Sequence, residues 1–276
     1  MYRHWFLTGA SSGIGRHLAE IILASGDDLT ATVRRPETLD DLAARYGDQL
    51  VVERLDVTVK GDIAPVVQRA EARRPVDVLV NNAGGGIIGA TEEFSDADIE
   101  GQISLNLLAP VHVTRAFIPA MRTRRAGRII QISSASGQGS LPTSSLYHAA
   151  KWGLEGFSEC LRQELEGFGV FVTLIEPGGA RTSSSRNLQY ALANPAYQDT
   201  PAGQIRAMFE NAGDELYTLD PQKIAHRIFD TATSEKPPLR VALGGDAFGV
   251  IQAALKGRLS ALEAQESLAR SVAFDS

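Results

Sequence analysis

Seven short apolar, β-branched runs, Trp5–Thr8, Leu29–Val33, Leu50–Leu55, Val76–Val80, Arg128–Ile132, Val170–Ile175 and Leu239–Leu243, recur between longer amphipathic stretches near 14–25, 37–46, 60–73, 96–124, 147–167 and 221–233. Runs this short, bounded by turn residues, read as buried strands; the longer periodic stretches read as helices. Regular strand–helix alternation implies parallel pairing, because each helix carries the chain back to the edge where the next strand starts. The expected fold is therefore α/β, a doubly wound parallel sheet of seven strands with helices on both faces.

The chain has 276 residues, which one large α/β domain spanning 1–276 accommodates. The rhythm breaks after Glu176-Pro177-Gly178-Gly179, and no convincing helix follows until about 221. Connections of that length are often functional, so 183–220, with Ser183–Ser185, Tyr190, Tyr197 and Met208-Phe209, is read as a substrate-binding segment, with a disordered surface loop as the equal alternative. Residues 246–276 carry Ile251, Leu255, Leu259 and Leu262 at helical spacing, a C-terminal helical extension that packs on the domain or on a partner chain.

Hydrophobic residues make up 43% and charged residues 22% of the chain, enough apolar side chain for a full core. A formal charge of −6 argues against a surface built for nucleic-acid phosphates or an anionic membrane. Cys160 is the single cysteine, so no internal disulfide forms. The histidines His4, His17, His112 and His226 show no ligand spacing with each other or with Cys160, and no metal is expected. The apolar stretch after Arg3 and His4 is too brief for a signal-peptide core, and no run approaches a membrane span. These features point to the cytoplasm.

The first strand runs into Thr8-Gly9-Ala10-Ser11-Ser12-Gly13-Ile14-Gly15, followed by a helix with Leu18, Ile21 and Ile22 on one face. Glycines there let backbone N–H groups close on a pyrophosphate at the positive end of the helix, which makes the sheet Rossmann-type. The same residues match Gly-x-Ser-x-Gly, with Ser11 as a hydrolase nucleophile. That reading lacks the earlier strand whose loop completes an oxyanion hole, and stays a distant alternative. The second strand ends Thr32-Val33-Arg34-Arg35, with no acid to repel a 2′-phosphate and two guanidiniums to hold it. NADP(H) is favoured over NAD(H), which remains possible. Asp56, in Leu55-Asp56-Val57 at the end of the third strand, is placed to accept from the adenine amino group or merely to cap the strand.

Tyr147 and Lys151 are four residues apart at the start of an amphipathic helix, so phenol and ammonium share one face. Upstream, Ser133 and Ser134 end an apolar strand at the edge where open α/β sheets bind ligands, and strand alternation lets only one of them face the site. Asn81-Asn82-Ala83-Gly84 occupies the matching end of the fourth strand, and Asn106 lies between Leu105 and Leu107 in the helix that follows. His148 diverges from Tyr147 by about 100° of helix and is read as structural.

Taken together, Thr8–Gly15, Asn81–Gly84, Asn106, Ser134, Tyr147 with Lys151, and Pro177-Gly178 followed by Thr182 resemble the short-chain dehydrogenase/reductase family in order and spacing. The stretch from Ser133 to Thr182 is also similar, more weakly, to the steroid and retinoid dehydrogenase-like branch. The resemblance implies an oxidoreductase that moves a hydride between nicotinamide and a carbonyl or secondary alcohol. It implies that Tyr147 gives or takes the proton, that Lys151 lowers the phenol pKa and holds the ribose, that Ser134 orients the substrate oxygen, and that Asn106 organises a water relay. The dinucleotide would lie on Thr8, Gly9, Ser11, Ser12, Gly13, Ile14, Gly15, Arg34, Arg35, Asp56, Val57, Asn82, Ala83 and Gly84, with Pro177, Gly178 and Thr182 at its nicotinamide end. A small-molecule substrate and a homodimer or homotetramer, built through the helices near 100–124 and 147–167, are implied as partners. Three consecutive glycines, Gly84–Gly86, are expected to loosen the loop above the nicotinamide. A dinucleotide-binding redox sensor without catalysis is the alternative from another class.

Overall fold

The apolar runs become strands buried on both faces, because helices cover the sheet from either side. In the computed structural model, which describes residues 2–182, 185, 188–211 and 213–274, these are β1 (His4–Thr8), β2 (Asp28–Val33), β3 (Leu50–Arg54), β4 (Val78–Asn81), β6 (Gly127–Ile132), β7 (Val170–Pro177) and β9 (Arg240–Leu243). They form one all-parallel sheet in the order β3-β2-β1-β4-β6-β7-β9. Helices α1 (Gly13–Ala24), α2 (Asp40–Tyr46), α3 (Lys60–Arg73), α4 (Asp96–Ile103), α5 (Ala109–Arg124), α6 (Ser145–Leu165), α7 (Pro201–Glu210), α8 (Pro221–Thr233), α9 (Gly245–Glu263) and α10 (Glu266–Arg270) complete the chain.

The period-2 alternation of a strand separates two cores. Trp5, Leu7, Leu29, Val78 and Ile130 face α1 and α8, against Leu18, Ile22, Ile224 and Ile228. Their neighbours Phe6, Leu79, Ile129 and Val172 face α3, α5 and α6, against Val66, Phe117 and Leu161. Aromatic contacts anchor both layers: Trp5 stacks on Phe229 at 5.3 Å, and Phe6 meets the edge of Phe117 at 4.8 Å. Within the interior, His4 is held by the Arg74 carbonyl and Thr30, and the Trp5 indole donates to Asp27 at 2.8 Å.

Three features depart from the periodic reading. The helix expected over 96–124 is divided by a π-turn, Ser104–Leu108. Pro110 supplies the reason: it has no N–H for the carbonyl of Asn106, and its ring would collide with that group in a regular α-helix, so the turn widens. The segment from 183 to 220, expected to lack helices, contains α7, which is capped by Thr200, whose Oγ1 accepts from Gly203 N–H. Two residues of this segment, β8 (Gln189–Tyr190), pair in parallel with β5 (Ile87–Ile88) and tie it to the loop after β4. Ser183 and Ser184 lie outside the described residues. In the C-terminal extension, α9 buries Ala247 but leaves Leu255, Leu259 and Leu262 at 50, 56 and 66% exposure; Arg258 holds it to the domain over the Trp152 ring.

Phe117 is fully buried between sheet and helix. Phe117→Ala should lower unfolding stability by about 3–5 kcal/mol, read from urea titration, with the larger drop expected if the cavity does not collapse.

Candidate active site

The chain leaves β1 to one side for β2 and β3, then returns to the other side of β1 for β4. At that reversal the loops after β1 and β4 diverge and leave a crevice at the C-terminal edge of the sheet. The crevice has a volume of about 830 Å³, within the range of small-molecule and cofactor sites.

Its floor is the glycine turn. Gly9 and Gly13 have φ of +70° and +55°, where an L side chain is strained. A Cβ on Gly15 would stand 2.3 Å from the Gly9 carbonyl oxygen and 2.4 Å from Asn82 Nδ2. Thr8 and Gly15 lie beneath the turn rather than on its surface: Thr8 Oγ1 accepts from the N–H groups of Asn82 and Ala83, each at 3.0 Å, and Asn82 Nδ2 donates to the carbonyls of Thr8 and Gly9. A Cβ on Gly13 would touch Thr182 at 3.1 Å, so the segment after β7 closes on the turn from above. The cradle fits a dinucleotide pyrophosphate: a turn without side chains, at the N-terminus of α1.

Of the two arginines, Arg34 lies on the crevice wall, and Arg35 instead starts the turn Pro36–Leu39, its carbonyl accepting from Thr38. Asp56 and Val57 also line the wall. Asp56 Oδ1 accepts from Thr58 N–H and Oγ1, and that side-chain bond holds its carboxyl below the usual range.

The reacting end is built by β6 and α6. Ser134 continues β6 and its Oγ accepts from Ser136 N–H at 3.1 Å, so the hydroxyl sits at the head of a tight turn. Ser133, pointing the other way as alternation requires, donates to buried Glu155 at 2.5 Å. Tyr147 and Lys151 share one face of α6, with Lys151 Nζ 5.7 Å from the phenol ring centroid and 2.8 Å from the Ile132 carbonyl oxygen that it donates to. Burial pushes the Tyr147 phenol above its ordinary value, and a hydrogen bond with Ser134 opposes the rise. Burial likewise pulls Lys151 down to about 8, against the charge of Glu155. Burial thus works against the acidic phenol that the resemblance implies, and of the two causes acting on Tyr147 only the Ser134 hydrogen bond favours loss of its proton. His148 turns Nδ1 to the carbonyls of Ser136 and Gly139, which can only accept, so Nδ1 carries a proton and the ring braces the turn.

Of the three glycines above this end, Gly85 is pinned at both its N–H and its carbonyl. Gly85 N–H donates to Asn106 Oδ1, and its carbonyl accepts from Asn106 Nδ2 at 2.9 Å and Gln102 Nε2 at 3.0 Å. Asn106 is fully buried on the π-turn, and a Cβ on Gly84 would lie 3.0 Å from its Oδ1 and 4.0 Å from Lys151 Nζ. Gln102 escaped the sequence reading, although its spacing to Asn106 placed both amides on one helical face. Asp246 escaped it too: the carboxylate accepts from Gly179 N–H at 2.8 Å and braces the loop after Pro177, and its only signal was a glycine pair opening a late helix. Among the described residues no group of three or more His, Cys, Asp or Glu side chains is arranged to hold a metal ion, and no helix is long and apolar enough to cross a membrane.

A parallel sheet with a glycine turn at its switch point, and a serine, tyrosine and lysine beside it, defines the class of nicotinamide-dependent oxidoreductases. The short chain dehydrogenase family model matches residues 3–192, and the chain belongs to this family, whose members are NAD(P)-dependent dehydrogenases and reductases. It is 35% identical over 250 residues to oxidoreductase BOA17 of Botryotinia fuckeliana, covering 90% of each chain. It is 34% identical over 248 residues to human retinol dehydrogenase 8, covering 85% of this chain and 79% of that one, in keeping with the retinoid-like branch. The crystal structure of a short-chain dehydrogenase from Streptomyces avermitilis superposes with a TM-score of 0.90 at 39% identity, covering 99% of both chains.

Because a methyl group on Gly15 has no room against backbone, Gly15→Ala should displace Asn82 and weaken dinucleotide binding at least about tenfold, or roughly 1.4 kcal/mol, by calorimetric titration.

Proposed function

We propose that this chain is an NADP(H)-dependent oxidoreductase that moves a hydride between nicotinamide and a carbonyl or secondary alcohol, with Tyr147 transferring the proton. The observation that carries the reading is the convergence of Ser134, Tyr147 and Lys151 on one crevice with the glycine turn. The dinucleotide, when bound, supplies or accepts the hydride; the chain does the rest. Ser134 donates to the substrate oxygen and stabilises charge as it builds there. Tyr147, protonated at neutral pH, gives its proton to that oxygen in reduction and takes it back in oxidation. Lys151 holds the nicotinamide ribose and, while charged, favours the phenolate left behind. Asn106 organises a water relay behind Lys151. Pro177, Gly178 and Thr182 grip the nicotinamide end, and the segment from Ser185 to Tyr217 contributes Leu188, Phe209 and Tyr217 to the substrate side of the crevice.

Arg34 on the wall, with no acid at the end of β2, favours the 2′-phosphate and hence NADP(H) over NAD(H). Assembly as a homodimer or homotetramer through α5 and α6, and a cytoplasmic setting suited to the exposed thiol of Cys160, complete the proposal.

Tyr147→Phe keeps the ring and removes the proton donor. It should lower kcat on a carbonyl panel by about 10²–10⁴-fold while NADPH binding, followed by calorimetry, stays near wild type; turnover close to wild type rejects the assignment. Arg34→Ala should weaken NADPH by roughly 10–100-fold, the loss of a charge-assisted contact of about 1.5–3 kcal/mol, and leave NADH nearly unchanged. Equal losses for the two cofactors would show that Arg34 does not read the phosphate.

A further inference from the structure

Behind Ser134 and Lys151, on the side away from the crevice, lies a buried charge cluster that the proposed reaction does not use. Glu155 and Glu176 are 5% and 2% exposed. Ser133 Oγ donates to Glu155 Oε1 at 2.5 Å, and Arg240 Nε reaches Glu155 Oε2 at 3.0 Å and Glu176 Oε1 at 3.4 Å. Arg240 also contacts Glu159 at 3.3 Å, and Gln138 Nε2 donates to Glu176 at 3.2 Å. The turn glycine Gly137 lies so close that a Cβ there would stand 2.8 Å from Ser133 Oγ and 2.9 Å from Glu155 Cγ.

Three of its members adjoin residues of the reacting end. Ser133 precedes Ser134, Glu176 precedes Pro177, and Glu155 is one helical turn beyond Lys151. Charge does not balance within the cluster. One guanidinium, shared with half-exposed Glu159, faces two buried carboxylates, and the charge of Glu155 also acts on Lys151, one turn back along α6.

We infer that Glu155 is a positioning residue for the reaction: its buried carboxylate keeps Lys151 charged and, through Ser133, fixes the turn that presents Ser134. The inference rests on the proposed role of Lys151 beside Tyr147. The charged and titratable groups facing Glu155 are Lys151 and Glu159 from its own helix, Glu176 from β7 and Arg240 from β9. Burial and then the charge of Glu155 push Glu176 up to about 7. Lys151 is pulled down to about 8 by burial, and the charge of Glu155 is what opposes that pull. In reduction Tyr147 must be protonated and Lys151 charged. The rate is therefore full below the Lys151 pKa and lost as pH rises through it, and neutralising Glu155 lowers that pKa.

The test is the pH profile of kcat for NADPH-dependent reduction in the full-length protein and three variants. Glu155→Gln is isosteric, keeps an acceptor for Ser133, and leaves Arg240 its contacts with Glu159 and Glu176. Its alkaline limb should move down by about one pH unit, equivalent to a roughly tenfold loss of charged Lys151 above the limb. Glu155→Asp retains the charge and should restore most of the shift. Ser133→Ala removes the hydrogen bond without the charge and should leave the limb in place. A Glu155→Gln limb coincident with wild type, an aspartate that restores nothing, or an equal shift in Ser133→Ala would each overturn the proposal. Turnover surviving Tyr147→Phe strikes the tyrosine assignment instead; an unmoved limb with Tyr147→Phe inactive strikes Glu155 alone.

Discussion

Parallel pairing of β1 with β4 ends at Leu7 and Val80, and everything in the site depends on what happens just beyond. There the two strands separate, Thr8 keeping its ladder partner in β2 and Asn81 its partner in β6, and the N–H groups of Asn82 and Ala83 and the carbonyls of Thr8 and Gly9 turn to side chains. Thr8 and Asn82 take them up. One threonine oxygen accepts two amide hydrogens and one asparagine amide serves two carbonyls, so the loops after the two strands are locked at a fixed separation. The crevice is the gap that this lock holds open. Gly15 fits below it because nothing larger can.

Around that crevice desolvation governs protonation. It acts on Tyr147 and Lys151 in opposite directions on the pH scale and with the same meaning, since in each case the neutral form is favoured. In the proposed reaction the proton donor needs a neutral phenol, and a neutral amine is of no use to the phenolate that remains. On that reading the charge on Lys151 is the quantity the surroundings have to defend. The Ile132 carbonyl contributes a hydrogen bond, and the Glu155 carboxylate contributes an opposite charge from the next turn of the same helix.

Most strand positions and the helices over 60–73 and 221–233 were legible in the chain, because strands covered on both faces need continuous apolar runs and a covered helix shows its period directly. The π-turn at Ser104–Leu108 was hidden: Pro110 was visible, but proline is also an ordinary residue in the first turn of a helix, and only the partner waiting at Gly85 explains why Asn106 is turned inward. The β5–β8 pair was hidden as well, since two-residue strands are too short to display alternation. Helix α7 was missed because its faces are partly exposed and its apolar residues do not form a full stripe.

Local chemistry in the chain is enough for the sheet, the glycine turn and the face shared by Tyr147 and Lys151, since each depends on neighbours within a few residues and on elementary periodicity. The protonation of that pair, the pinning of Gly85 and the meeting of Glu155 with Glu176 and Arg240 belong to the folded molecule. Burial is a sum over the whole surroundings of a group, and residues 85 positions apart, as Glu155 and Arg240 are, come into contact only when the strands that carry them have taken their places in the sheet.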